Sequence, residues 1–222
     1  MTESRKRVCV DRGRAAFIPD ICFVDETPVY VSEDADPASG KEDETPAYRV
    51  MTADGLKART ILTSSDGQLE RRGMTSGSGR YAFEIMQNGK HYLQVGDMDG
   101  QLQTFPVEGK HLRNFALAGD HLVYAVGWEE EDKTIRSIDL NDGSEQTAPL
   151  DLMFYNLIGG EQEQLLGINE QGLAAVDLKS LQVRQISMPG ELGRSDELNL
   201  ASENMREGKV VLSTSKGFCL AF

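Results

Sequence analysis

The residues of this chain best suited to chemistry are polar side chains that stand just before short apolar strands. Asp20, Asn114, Asn156 and Asn199 each precede such a strand, and Arg80 precedes another. Carboxylate and carboxamide oxygens that converge at one place bind hydrated cations or the hydroxyl groups of a small ligand. The pattern therefore predicts a ligand-binding ring of five polar side chains. The alternative is a purely structural role, since Asp and Asn are also favoured where a turn leads into a strand.

A hydrolase would need a pair of carboxylates, and the sequence offers one such pair. Glycoside hydrolysis requires two carboxyl groups about 5 to 9.5 Å apart. Among the five ring positions only Asp20 carries a carboxylate, and strand alternation gives Glu84 the same facing as Arg80. A carbohydrate-active or metal-dependent hydrolase at the mouth of a central channel therefore stays open as the alternative to a binding function.

The familiar catalytic and ligand-binding motifs do not occur in the sequence. His91, His111 and His121 lack the H-x-x-H and H-E-x-x-H spacings of zinc enzymes, and the Gly-rich segment TSGSGR lacks the lysine of a phosphate-binding loop. No G-x-S-x-G nucleophile elbow is found either. We therefore predict no catalytic residue, no metal site and no cofactor, and favour a non-catalytic module over an enzyme.

Trp128 and the acidic run that follows it form a second candidate site. It is the only tryptophan, and Glu129 and Glu130 come directly after it in a predicted turn. A tryptophan within a charged rim can anchor a protein partner, although charge runs in turns are often simply solvated. The net charge of −13, from 36 acidic and 23 basic residues, favours a basic protein partner. The same charge repels a phosphate backbone, so nucleic acid is not expected as the main partner.

Short strands must position these residues, and they recur along the chain as five hairpins. Turns of the types Asp-Gly, Asn-Gly and Gly-Gly recur between the strands, whereas helical periodicity is almost absent. Strand hairpins repeated every few tens of residues are typical of radial or solenoid β architectures. We therefore predict an all-β fold of five units, with hairpins that begin at Ile21, Tyr81, Asn114, Phe154 and Glu197.

Two later units share an apolar-Asp-Leu sequence that suggests a specific architecture. The segments TIRSIDLNDGSEQT and LAAVDLKSLQVRQI resemble the third and fourth strands of blades in WD40-like and quinoprotein-like β-propellers. Their shared triplets, at Ile138 and Val176, are separated by nearly the roughly 40 to 45 residues of a four-stranded blade. The resemblance implies a β-propeller, here of five blades with up to four antiparallel strands each. A propeller without catalytic groups is expected to serve as a scaffold that binds proteins through a loop face.

The resemblance does not extend to the defining motifs of either group of propellers. The Gly-His and Trp-Asp dipeptides of WD40 repeats are missing, and a single tryptophan cannot supply the docking pattern of quinoprotein enzymes. No quinone cofactor is therefore implied.

Residues 1–222 are predicted to form a single domain with two irregular features. The segment 32–46 is rich in acid, Pro, Ser and Gly and is expected to be a mobile acidic surface loop. The uneven spacing of the hairpins predicts that the unit beginning at Tyr81 lacks its outer strand.

The two ends of the chain are predicted to complete one sheet together. The fifth unit stops after its third strand, and an N-terminal strand containing Val8 and Val10 would supply the missing one and close the ring. Alternation then places Cys9 and Cys219 within about 4.5 to 8 Å of each other. A loose basic N-terminal arm is the alternative.

Composition sets the remaining expectations. Apolar runs fall far short of the roughly 18 residues that a membrane-spanning helix requires, and the N-terminus lacks the apolar stretch of a secretory signal. The three cysteines show no C-x-x-C spacing and are expected to be reduced thiols. We therefore expect a soluble, cytoplasmic monomer that does not contact membranes.

Overall fold

The computed structural model describes ten stretches of the chain, and strands dominate them. These stretches are residues 15–17, 21–34, 48–54, 57–64, 68–128, 132–161, 163–187, 198–200, 211–214 and 219–221. Within them no helix is present, which confirms the all-β prediction for the described residues. In the same part of the chain, no helix could therefore cross a bilayer.

The strands fall into five consecutive antiparallel groups, named sheets 1 to 5. Sheet 1 consists of β1 (Ala15–Phe17), β2 (Ile21–Val24), β3 (Thr27–Asp34), β4 (Tyr48–Asp54) and β5 (Lys57–Ser64). Sheet 2 consists of β6 (Gln68–Gly77), β7 (Arg80–Gln87), β8 (Lys90–Asp97) and β9 (Leu102–Pro106). Sheet 3 consists of β10 (Leu112–Ala118), β11 (His121–Val126), β12 (Thr134–Asp139) and β13 (Glu145–Pro149). Sheet 4 consists of β14 (Phe154–Glu161), β15 (Gln164–Asn169), β16 (Gly172–Asp177) and β17 (Val183–Gln185). Sheet 5 consists of β18 (Leu198–Leu200), β19 (Val211–Thr214) and β20 (Cys219–Ala221).

Sheets 2, 3 and 4 are meanders in which the four strands pair in chain order. In sheet 1, β1 and β2 pair with different parts of β3 and together take the place of a first strand. Sheets 3 and 4 are also joined through their first strands, at the parallel pair Ala118 and Gly160. This up-and-down order gives every sheet two distinct ends.

We call these ends the turn end and the loop end. The turn end carries the turns between first and second strands and between third and fourth strands. The loop end carries the connections between second and third strands and the connections from one sheet to the next. Each first strand therefore begins at the loop end and finishes at the turn end.

Apolar side chains fill the spaces between consecutive sheets. Because side chains alternate between the two faces of a strand, sheet 2 packs one face on sheet 1 and the other on sheet 3. Sheet 3 likewise packs on sheets 2 and 4. The contacts between sheets 1 and 2 include Cys22, Val29, Tyr48, Tyr81 and Phe83. Those between sheets 2 and 3 include Leu93, Val95, Phe115, Leu122 and Tyr124. Those between sheets 3 and 4 include Val123, Ile135, Phe154, Leu165 and Val176.

The first strands of the sheets lie side by side. Strand β6 contacts β2, β10 and β14, and the Ser76 hydroxyl donates a hydrogen bond to the Phe23 carbonyl oxygen at 2.8 Å. A Cβ atom added at Gly77 would lie 3.1 Å from Cβ of Leu117. The small residue at this position therefore lets β6 approach β10 closely.

The structure corrects the predicted strand order in sheet 2. The hairpin that begins near Tyr81 joins the second and third strands, β7 and β8, whereas the first strand is β6. Leu102–Pro106, the last strand of this unit, is its fourth strand, β9, and pairs with β8, so the prediction of a missing outer strand is wrong. Both hairpins have a two-residue turn, Ser78-Gly79 and Asn88-Gly89, and local pattern alone does not distinguish them.

Closure of the ring stays a prediction. Val8, Cys9 and Val10 lie outside the described residues, and so does most of the predicted acidic loop over 32–46. That loop was predicted to begin at Ser32, but β3 continues to Asp34, and its pairing with β4 is regular through Glu33.

Candidate functional site

Matching β-bulges interrupt two neighbouring first strands at the loop end. In β10 the pairing shifts between Leu112 and Asn114, which leaves Arg113 as an extra residue opposite β11. In β14 the pairing shifts between Phe154 and Asn156, which leaves Tyr155 as an extra residue opposite β15. A bulge redirects the side chain of the extra residue, and bulges are frequent beside active and binding sites.

The first bulged residue is stacked on the single tryptophan. The guanidinium carbon of Arg113 lies 3.8 Å from the centroid of the Trp128 ring, a geometry that gives an attractive cation–π contact. Trp128 lies two residues after the end of β11 and is 44% exposed. The stacking therefore fixes an aromatic ring in place while leaving much of it accessible to solvent.

The second bulged residue is an exposed tyrosine beside a pair of asparagines. Tyr155 is 49% exposed. The Asn114 side-chain amide donates a hydrogen bond to Oδ1 of Asn156 at 3.0 Å and approaches the Tyr155 carbonyl oxygen at 3.5 Å. Both asparagines are partly exposed. Two of the predicted ring residues thus lie in direct contact, near the loop-end starts of two neighbouring first strands.

Contacts and chain neighbours link these residues into one continuous region, which we call the loop-end surface. It combines two exposed aromatic rings, one cation and a pair of carboxamides. Its members are Arg113, Asn114, Trp128, Tyr155 and Asn156. Such a surface can offer hydrogen bonds and aromatic contact to a ligand.

Arg80 lies away from the loop-end surface. It begins the second strand of sheet 2, and its Nη1 donates to Oδ1 of Asp120 in the turn between β10 and β11 at 3.2 Å. Asn114 is four residues from the end of β10, which is about 13 Å of extended chain. The placement of Arg80 on a first strand beside Asn114 is therefore wrong, because Arg80 stands at the turn end.

The other predicted site residues lie partly or wholly outside the part of the chain that the structure describes. Asp20, Glu129 and Glu130 are outside the described residues, and Asn199 lies on β18 without a described side chain. Their roles stay predictions.

Glu84 does not face a channel. It lies on β7, completely buried, on the face of sheet 2 that packs on sheet 3. Its Oε1 lies 2.7 Å from Nδ1 of His91 on the neighbouring strand β8. The expectation that Glu84 shares a channel with Asp20 is therefore wrong, because Glu84 belongs to a second strand and not to a first one.

The turn end carries a recurring structural motif that explains the repeated apolar-Asp-Leu sequence. Each third strand of sheets 1 to 4 ends on an aspartate: Asp54, Asp97, Asp139 and Asp177. Where the side chain is described, Oδ1 of the aspartate accepts hydrogen bonds from backbone N–H groups of the next turn. For example, Oδ1 of Asp139 accepts one from Asn141 at 2.8 Å. These side chains close the turn into the fourth strand.

Asp177 is the most fully bonded of these aspartates. It accepts bonds from the Lys179 and Ser180 backbones at 3.1 and 2.8 Å, and from the Ser180 hydroxyl at 2.8 Å. The hydrogen bond from the Ser180 hydroxyl, together with the backbone bonds, lowers the pKa of Asp177. The aspartates are thus occupied in shaping turns and are not arranged for binding.

Sequence reasoning missed Arg113 and Tyr155 as members of the site. Each directly precedes an asparagine that was recognised, and the two positions are equivalent in β10 and β14. The only signal in the sequence was that Arg113 and Tyr155 stand at the same position relative to Asn114 and Asn156. Among the described residues, no group of three or more His, Cys, Asp or Glu side chains could hold a metal ion.

Comparison with known proteins gives no family. No protein-family model matches the chain, and no curated protein matches it. Among the solved structures to which the chain is similar is TolB from Acinetobacter baumannii, with 12% sequence identity and a TM-score of 0.47. The match covers 90% of this chain and 54% of TolB, so the chain spans about half the length of that structure.

Proposed function

We propose that this chain is a five-bladed β-propeller that binds a protein partner through its loop-end surface and has no catalytic role. The observation that carries the proposal is the pair of matching bulges, which present Arg113 and Tyr155 at equivalent positions of adjacent first strands. With regular pairing, both side chains would follow the alternation of side chains between the two faces of a strand. The bulges instead bring an aromatic ring and an aromatic-stacked cation to the same end of the molecule.

The composition of the surface favours a protein over a small substrate. Tryptophan, tyrosine and arginine are the residues most enriched at energetic hot spots of protein interfaces. Trp128 and Tyr155 are exposed anchors, and Arg113 restrains the indole ring, which lowers the entropy that binding must remove. The negative net charge of the chain further favours a partner with a basic surface.

The packing of the sheets supports five blades. Sheets 1 to 4 stack in chain order, and the outward face of sheet 4 buries Ile158, Leu166 and Leu173. On the outward face of sheet 1, Ile21 and Phe23 are 43% and 56% exposed. In a closed ring, the remaining sheet, sheet 5, lies between these two outward faces. The first strands then surround one axis, with the loop-end surface at its mouth.

The function is tested by quantitative capture from the cells in which the chain is produced. The intact chain is immobilised, and retained proteins are compared with those retained by the double variant Trp128→Ala, Tyr155→Ala. The matched control is the turn-end double variant Arg80→Ala, Asp120→Ala. We expect a partner that is retained by the original chain and the control and that is reduced about tenfold or more on the loop-end variant.

Two outcomes would contradict the proposal. One is a partner lost on the turn-end variant and kept on the loop-end variant. The other is capture that neither pair of substitutions changes. Circular dichroism of both variants establishes that each remains folded before capture is compared.

A further inference from the structure

We propose that the partner binds as an extended polypeptide segment, with its main chain on the Asn114–Asn156 pair and an arginine or lysine side chain against Trp128. This inference rests on the proposed function and specifies the partner for the same surface. Two features of the described residues carry it: the spare hydrogen-bonding groups of the asparagines and the cation already stacked on the indole. The acidic sequence after Trp128 adds to them.

The asparagine pair has one acceptor and one donor group to spare. Asn114 uses its side-chain amide N–H groups towards Asn156 and the Tyr155 carbonyl. Within the described part of the chain, Oδ1 of Asn114 and Nδ2 of Asn156 make no further hydrogen bond. A carboxamide carries two donors and one accepting oxygen, so the pair presents an acceptor beside a donor. A residue in an extended strand presents its N–H and C=O towards the same side, which complements this pair.

The indole of Trp128 already shows which chemistry it accepts. Arg113 places a guanidinium 3.8 Å from the ring centroid, and Trp128 as a residue stays 44% exposed. A cation over a tryptophan ring is attracted by the negative π face. A second cation, brought by the partner, would meet the same field at the exposed part of the ring.

The sequence after Trp128 favours a cation over an anion. Glu129, Glu130 and Glu131 follow Trp128 directly in the sequence, and Asp132 after them is exposed. An arginine or lysine side chain stacked on Trp128 would gain from these carboxylates, whereas an acidic segment would be repelled.

The first test is selection from a displayed library of random peptides on the immobilised full chain. We expect the selected peptides to be enriched in arginine and lysine and to lack the i, i+3, i+4 apolar spacing of a helix. Their retention should fall about tenfold on Trp128→Leu and stay unchanged on the turn-end control Asp120→Ala. Selected peptides that are acidic, helical in pattern or insensitive to Trp128→Leu would overturn the inference.

The second test uses one selected peptide and the emission of Trp128, which reports on this surface alone because the chain has a single tryptophan. Replacing arginine in the peptide by the neutral isostere citrulline should weaken binding about two- to thirtyfold. N-methylation of the peptide backbone beside that arginine, or Asn156→Leu in the chain, should each weaken it about fivefold. Equal affinity of the arginine and citrulline peptides would overturn the cation contact.

The two proposals fail in distinguishable ways. If capture depends on Trp128 and Tyr155 but no arginine- or lysine-bearing peptide is selected, the inference fails and the proposed function stands. If an oligosaccharide such as maltohexaose changes Trp128 emission and displaces the selected peptide, the surface is a sugar site and the inference fails. If capture is also insensitive to the loop-end variant, both proposals fail.

Discussion

The turn end and the loop end of the same sheets use similar polar residues in different roles. At the turn end, aspartate side chains accept hydrogen bonds from backbone N–H groups of the turns, as at Asp97 and Asp177. At the loop end, Asn114 and Asn156 bond mainly to each other and stay partly exposed. Polar residues whose bonding capacity is filled locally stabilise the fold, whereas polar residues with capacity left over are available to a ligand.

The backbones of the two ends differ in the same sense. The first-to-second strand turns of sheets 2 and 3 contain two residues each, which allows little variation. The first strands lose regular pairing near the loop end, at the register shift between Leu69 and Met74 of β6 and at the bulges of β10 and β14. The sheets therefore have similar backbones at the turn end and different backbones at the loop end.

The largest expected effect comes from a loop-end residue with a structural role. His91→Leu removes the side chain that bonds the completely buried carboxylate of Glu84. We expect the free energy of unfolding to fall by about 1 to 3 kcal/mol, because a buried carboxylate loses a hydrogen-bond partner. Urea unfolding measures the change, with exposed Lys90→Leu as the neighbouring control. An unchanged free energy of unfolding would show that this bond is dispensable.

A turn-end aspartate should affect folding but not binding. Asp97→Ala removes two hydrogen bonds, from the backbone N–H groups of Asp99 and Gln101, both at 3.0 Å. We expect a loss of about 1 to 2 kcal/mol in the free energy of unfolding and no change in partner capture. Asp99→Ala is the matched control, since only the backbone of Asp99 takes part. Loss of capture by Asp97→Ala with stability unchanged would reverse the comparison.

The exposed ion pair of the turn end should contribute little to stability. Arg80 and Asp120 are separated by 3.2 Å and are both solvent-accessible, so Arg80→Ala should cost about 0.5 kcal/mol or less. Its partner capture should equal that of the original chain, whereas Asn156→Ala should reduce capture. A loss of capture on Arg80→Ala as large as that on Asn156→Ala would return Arg80 to the binding site.

The smallest effect should depend on pH. The Ser180 hydroxyl lowers the pKa of Asp177 in the folded chain. A lowered folded pKa gives stability that is present above the unfolded value, about 3.9, and is lost as pH falls through the folded value. Ser180→Ala should therefore lower Tm slightly at neutral pH, and the difference should shrink in acid. A Tm difference that grows as pH falls would contradict this sign.

The sequence allowed prediction of strand content and of the equivalent positions of Asn114 and Asn156. Both asparagines precede an apolar strand at equivalent positions, and that local pattern survives folding. The misassignment of Arg80 arose because β6 is rich in polar and small residues, whereas β7 is apolar on both faces between two sheets. An apolar second strand therefore resembled a first strand.

A further sequence signal could have corrected the register. Asp54, Asp97, Asp139 and Asp177 end the third strands of four successive sheets, but only the last two were recognised as a repeat. Aligning all four would have placed β7 and β8 second and third. The stacking of Arg113 on Trp128 could not be found in this way, because it depends on a bulge that shifts one strand against its neighbour.

Closure of the five sheets around one axis is the claim on which the proposed propeller depends. Limited oxidation, or a short thiol-to-thiol crosslinker, followed by peptide mapping tests it directly, with the denatured chain as control. If the ring closes, Cys9 and Cys219 lie within about 4.5 to 8 Å and form an intramolecular link in the folded chain. Absence of that link in the folded chain, with both thiols reactive, would contradict closure.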